Sequence, residues 1–126
     1  VKKLLFIILL IFTITTGYSQ QQFREKYSEL VLINKGEVTR DNGENTIFYN
    51  YANTSSIKVY LHKGSVMYFD LISSVERGAT EGGMTYSTAL YKERDTKFLV
   101  RVQLFDEDQY GVRFVFSKDK SLQFIP

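Results

Sequence analysis

Apolar and polar side chains alternate with a period of two along most of this chain. Ile57, Val59 and Leu61 alternate with Lys58, Tyr60 and His62, and Phe98, Val100, Val102 and Leu104 alternate with Lys97, Leu99, Arg101 and Gln103. Val112, Phe114 and Phe116 repeat the pattern against Gly111, Arg113 and Val115, as do Leu122 and Phe124 around Gln123. Successive side chains of a strand point to opposite faces, so this spacing predicts half-buried antiparallel strands. The enrichment in β-branched and aromatic residues agrees. Turn-forming residues punctuate the runs at Asn34-Lys35-Gly36, Asp41-Asn42-Gly43, Asn53-Thr54-Ser55-Ser56, His62-Lys63-Gly64, Glu93-Arg94-Asp95, Asp106-Glu107-Asp108 and Lys118-Asp119-Lys120. Asn and Asp tolerate left-handed backbone and bond their own main chain, and Gly supplies positive φ without a steric penalty. The predicted strands cover 29–34, 37–40, 46–51, 57–62, 65–72, 84–92, 97–105, 110–117 and 121–125. Short links between them imply an all-β fold: an antiparallel meander forming a small barrel or a barrel-like sandwich.

Three segments depart from this alternation. Val66-Met67-Tyr68-Phe69 and Leu71-Ile72 are apolar on both faces, which predicts a central strand or one covered on its second side. Phe23, Tyr27, Leu30 and Val31 fall at i, i+4, i+7 and i+8, the stripe of an amphipathic helix, and residues 21–28 contain neither Gly nor Pro. They read as a short N-terminal helix feeding the first strand and able to cover that second face; a disordered start is the alternative. Residues 73–83 form the longest connection, with Gly78, Gly82 and Gly83 among Glu76, Arg77 and Glu81. This stretch reads as a wide flexible hairpin or as a binding loop carried on a rigid sheet.

The first nineteen residues follow different rules. Lys2-Lys3, an unbroken apolar run from Leu4 to Phe12, and Gly17-Tyr18-Ser19 have the three parts of a cleavable secretory signal peptide. The run is shorter than the ~20 residues that span a bilayer. Cleavage after Ser19 leaves residues 20–126 as a single β domain, with no integral membrane span, released to the periplasm or outside the cell. With no cysteine in the chain, no residue can carry a thioether-linked lipid anchor. The Lys-Lys start and the Tyr-Ser-Gln-Gln junction resemble the export signals of small exported β-rich proteins of unknown function of Bacteroidetes type. The resemblance covers residues 1–22 and implies export only.

Loss of that segment changes the charge balance. Without Lys2 and Lys3 the 16 basic side chains fall to 14, against 14 acidic ones. A neutral domain without a Lys/Arg stripe lacks the electrostatic footprint of nucleic-acid binding. The absence of cysteine also means that an exported domain must hold together by burial alone, for which 10 Phe and 9 Tyr supply large apolar area.

Candidate chemistry is sparse. His62 is the single histidine and sits in a tight turn, which rules out a multi-histidine metal site, and no Ser lies in a Gly-x-Ser-x-Gly setting. Asp106-Glu107-Asp108 and Asp41-Asn42-Gly43-Glu44-Asn45 are oxygen-rich but lack EF-hand spacing, and both read as hairpin turns. No catalytic residue, metal ligand or cofactor is assigned. Asp70, inside Tyr68-Phe69-Asp70-Leu71-Ile72, is the sharpest oddity. A carboxylate on an inner face must be paired, and Arg101 or Arg113 could serve; on an outer face it forms a routine cross-strand pair. The tyrosines at 49, 51, 60, 68, 86, 91 and 110 either pack the strands or stack on a ligand.

These features point to a non-enzymatic binding module for a protein or envelope component, acting through Asp70, Tyr68, Arg101, Arg113, Arg77 and Glu81. Its motive is the apolar second face carrying Tyr60, Tyr68, Leu99, Phe105 and Val115. A barrel binding an apolar small molecule is the alternative and requires an interior cavity of roughly 300 Å³ or more. A carboxylate-based hydrolase using Asp70 with Glu81 or Asp108 ranks last.

Overall fold

The alternating runs form strands in a computed structural model that describes residues 21–126. The export-signal reading of residues 1–19 lies outside the described residues. The strands are β1 (Phe23–Asn34), β2 (Glu37–Tyr49), β3 (Ser56–Tyr60), β4 (Val66–Leu71), β5 (Glu76–Ala79), β6 (Thr85–Glu93), β7 (Leu99–Phe105), β8 (Val112–Ser117) and β9 (Lys120–Ile125). Single 3-10 turns at Tyr51–Asn53 and Asp108–Tyr110 are the only helical elements among the described residues. Among those residues no helix is long and apolar enough to cross a membrane.

Spatial order runs β4-β3-β2-β1-β9-β8-β7-β6, with every pair antiparallel. The sheet then closes on itself through Phe69↔Glu93, Asp70↔Lys92 and Leu71↔Tyr91. The result is an eight-stranded barrel with one additional strand, β5. Closure settles the choice between barrel and sandwich, because joining β4 to β6 pairs main-chain groups that two open sheets would leave at their edges. Beyond β4, β5 continues along the same edge of β6, from Glu76↔Thr88 to Ala79↔Thr85. In the gap between them, the Ile72 N–H donates to the Leu90 carbonyl (3.0 Å) and the Leu90 N–H to Ser73 Oγ (2.8 Å).

Of the positions the period-two pattern selects, Ile57, Val59, Val100, Val102, Val112, Phe114 and Phe124 form the buried interior, joined by Ile47, Phe69, Tyr27 and Tyr49. Phe98, which the same pattern groups with Val100 and Val102, is instead exposed ahead of β7. Phe114 packs against Phe69 (centroids 5.0 Å) and Phe124 (5.6 Å). Each such side chain stabilises by about 1.5–3 kcal/mol on leaving water, which lets the barrel hold without disulfides. The Tyr27 and Tyr49 hydroxyls share a buried hydrogen bond of 2.6 Å, offsetting the cost of placing phenols in an apolar core.

Three local expectations are corrected. Residues 21–28 are not a helix: from Phe23 they are strand, paired Phe23↔Tyr49 through Tyr27↔Asn45. An i, i+4 spacing is an even number, so Phe23 and Tyr27 share a strand face as readily as a helix stripe. The Phe23 ring stacks inward on Tyr49 at 4.8 Å. Asp41-Asn42-Gly43 is not a hairpin turn: the predicted strand 37–40 and residues 46–49 of the predicted strand 46–51 are parts of one strand, Glu37–Tyr49, which ends before the 3-10 turn at Tyr51. The turn residues there instead produce a register shift opposite Tyr27/Glu29. A Cβ at Gly43 would lie 2.4 Å from the His62 ring that covers it, so a larger residue there requires that ring to move. Finally, residues 73–83 are not all loop, since Glu76–Ala79 form β5. Glu-Arg-Gly-Ala carries no apolar alternation, and its strand state comes from the partner it meets in β6.

Candidate functional site

The outer face of β2, β3 and β4 concentrates the unusual side chains. Cross-strand register places Phe48, Lys58 and Tyr68 in one row, because Phe48 pairs with Lys58 and Lys58 with Tyr68. Their chain neighbours Ile47, Ile57, Val59 and Phe69 point into the core, so this row points out. Tyr60 lies two residues beyond Lys58 on the same face. Tyr51 reaches the row from the 3-10 turn after β2. The Lys58 Nζ then sits 4.7 Å from the Tyr51 and Tyr60 ring centroids, 5.4 Å from Tyr68 and 6.0 Å from Phe48. It also donates to the Tyr51 hydroxyl at 3.2 Å. Negative ring faces attract an ammonium. The Tyr51 hydroxyl, foremost, with Tyr68 and Tyr60 beside it, holds Lys58 above the ordinary lysine range, so it stays charged.

The turn that delivers Tyr51 is conformationally expensive. Asn50, Ala52 and Asn53 all have left-handed backbone, with φ of 52°, 54° and 58°. Asn adopts this region fairly readily, whereas Ala does so at a cost of order 1–3 kcal/mol. The conformation is held from outside. Gln22 accepts from the Ala52 N–H (2.7 Å) and donates its own N–H to Asn53 (2.9 Å), and Asn50 Nδ2 donates to the Gln21 carbonyl (3.2 Å). Thr54 Oγ1 donates to the Tyr51 carbonyl at 2.6 Å.

Asp70 borders the cluster on this outer face. It accepts from Arg94 Nε at 3.0 Å and Nη2 at 3.0 Å, and from Ser56 Oγ at 2.7 Å. Arg94, with Ser56 assisting, holds the carboxyl below the usual carboxylate range. The guanidinium lies 4.9 Å from the Tyr68 centroid. The partner of Asp70 is therefore Arg94, on the β6–β7 turn, and neither Arg101 nor Arg113. Register explains this: closure sets β4 beside β6, and β7 and β8 lie further round the barrel.

The other expected site residues do not converge here. Arg77 on β5 binds Asp106 through both terminal nitrogens and donates to Ser87 Oγ at 2.9 Å, and Thr85 adds a hydrogen bond to Asp106. Arg77, with Thr85 assisting, lowers the Asp106 carboxyl to about 2. This cluster ties β5 to β6 and β7. Arg113 donates to Gln103 Oε1 (2.7 Å) and covers the Phe105 ring at 5.4 Å. With Tyr86 and Tyr110 it leaves Phe105 only 1% exposed, removing that residue from the open second face. Arg101 is exposed between Leu90 and Val115, and Glu81 is exposed in the β5–β6 turn. Tyr60 (41% exposed) and Leu99 (51%) remain open.

Sequence reasoning named Tyr68 and Asp70 but missed Lys58, Phe48, Tyr51 and Arg94 as their neighbours. The missing information was register, which a single strand's phase does not contain. A lysine between outward aromatics on two predicted neighbouring strands was the available signal.

Inside the barrel, a cavity of about 60 Å³ is lined in part by Tyr49, Ile57, Ala89, Tyr91 and Val102. That is far below the ~300 Å³ lower range of small-molecule sites. A more open cleft of about 350 Å³ lies at the register shift, between Lys26, Ser28, Glu44 and Pro126. Among the described residues no group of three or more His, Cys, Asp or Glu side chains is placed to hold a metal. The fold thus defines a small closed antiparallel β-barrel whose notable chemistry is on its outer wall. Comparison with family models, with curated proteins and with solved structures finds no match to this chain.

Proposed function

We propose that this protein is an exported, non-enzymatic binding module of the cell envelope that takes its partner on the outer wall of β2–β4. The observation that carries the reading is the cluster of Phe48, Tyr51, Tyr60 and Tyr68 around Lys58. A strained turn maintained to present Tyr51 supports it, since such strain concentrates where a surface is used. The small interior cavity favours this wall over an apolar ligand held inside the barrel. Export rests on the basic start and apolar run of residues 1–19.

Two measurements test the reading. Immobilised residues 20–126 should retain an envelope component, and a Tyr51→Ala/Tyr60→Ala variant should lose it while Arg101→Ala, on a different wall, does not. Equal retention by all three proteins would overturn the assignment of the face. N-terminal sequencing of protein recovered from its own cells should begin at Gln20. An intact start at Val1 or upstream of it would overturn cleavage after Ser19.

A further inference from the structure

Resting on the reading of the β2–β4 wall as the binding face, we infer that its ligand is an acidic carbohydrate, with a sugar carboxylate placed over Lys58. The charge pattern is the first reason. Arg94 on this wall is neutralised by a bidentate bond to Asp70. Lys58 has no carboxylate within ion-pair distance among the described residues; its contacts are four rings and a phenol. Ring quadrupoles attract a cation without cancelling its charge, so the Lys58 charge remains unneutralised among the rings.

The second reason is the kind of contact the wall can make. β3, which carries Lys58, is paired on both sides, to β2 and to β4, so at Lys58 no main-chain N–H or carbonyl row is free to receive a peptide as an added strand. What remains is side-chain chemistry: aromatic faces, the hydroxyls of Tyr51, Tyr60 and Tyr68, and the Asp70–Arg94–Ser56 group at the rim. Phenols both donate and accept, which suits sugar hydroxyls, and the negative ring faces suit the C–H surface of a pyranose. Among the described residues the unpaired cations of this face are Lys58, Arg24 beside Phe48 and Lys92 opposite Asp70, and only Lys58 lies among the rings, which suits one carboxylate held over the aromatic surface. A nucleic-acid backbone or an anionic membrane instead needs a continuous row of cations.

The test is a titration of the folded domain, residues 20–126, with trigalacturonate, the neutral analogue cellotriose and a Glu-rich peptide. It is followed by amide NMR shifts and by tyrosine emission, which no tryptophan obscures. Trigalacturonate should shift the amides of Phe48, Tyr51, Lys58, Tyr60 and Tyr68, and weaken as salt is raised. Lys58→Gln, checked for an unchanged circular-dichroism spectrum, should reduce its affinity at least tenfold. Equal binding of cellotriose with no effect of Lys58→Gln would overturn the charge assignment. Binding of the peptide at these amides without trigalacturonate would overturn the carbohydrate assignment in favour of a protein carboxylate. In both cases the binding face itself stands. Absence of all three responses, with envelope retention still lost in Tyr51→Ala/Tyr60→Ala, overturns the inference alone. Absence of both removes the face as well.

Discussion

Phe69 and Phe98 allow a direct test of barrel closure, because the same truncation is applied to the same residue type in opposite surroundings. Phe69 is 0% exposed on β4, the strand that closes the sheet, and its ring lies 5.0 Å from Phe114. Closure at that seam rests on three residue pairs, one of which is Phe69↔Glu93. Phe69→Ala removes the transfer free energy of a buried ring and leaves a cavity, a combined loss of about 3–5 kcal/mol. Against a typical stability of about 5–15 kcal/mol this is a large fraction, equivalent to a fall in Tm of more than ~10 °C. Phe98 is 62% exposed just before β7, so Phe98→Ala should change stability by less than about 0.5 kcal/mol. Urea unfolding followed by far-ultraviolet circular dichroism and tyrosine emission gives both values. If Phe69→Ala does not fold, Phe69→Leu is the milder probe, with an expected loss of about 1.5 kcal/mol or less. A cost below ~1 kcal/mol for Phe69→Ala, or equal costs at the two positions, would refute the closed, filled interior.

Two further outcomes follow from local geometry. Gly111 has φ of 62°, and a Cβ there would lie 1.8 Å from the Phe124 carbonyl oxygen, a backbone atom of the neighbouring β9. Gly111→Ala should therefore cost several kcal/mol or abolish folding, whereas Gly82→Ala, with its nearest neighbour at 3.8 Å, should be nearly neutral in a thermal melt. Similar melting temperatures for the two would refute the close approach. Asp106 is held at about 2 by Arg77, below its unfolded value near 3.9. Its contribution is present above pH ~4 and is lost as pH falls toward 2. With Arg77 half exposed, the expected size is about 1–2 kcal/mol. Asp106→Asn should be less stable at pH 7 and should lose less stability on acidification. Parallel pH profiles for the two proteins would remove the Arg77–Asp106 pair as a stabilising contact.

Side-chain periodicity by itself determined the all-β class and most inward residues of β3, β7, β8 and β9, because a strand's two faces are written directly into alternate positions; Phe98, outside β7, escapes that rule and is exposed. It also located most turns, where Asn, Asp and Gly satisfy backbone angles that other residues resist. It misread residues 21–28, since an even spacing serves both periods, and it missed β5, whose strand state comes from β6. What only the tertiary structure decided was register and closure. Register brought Phe48, Lys58 and Tyr68 into one row, and closure brought Arg94 to Asp70 from 24 residues away. Both depend on which main-chain groups meet across strands, a choice made by the packing of the whole barrel and carried by no single segment.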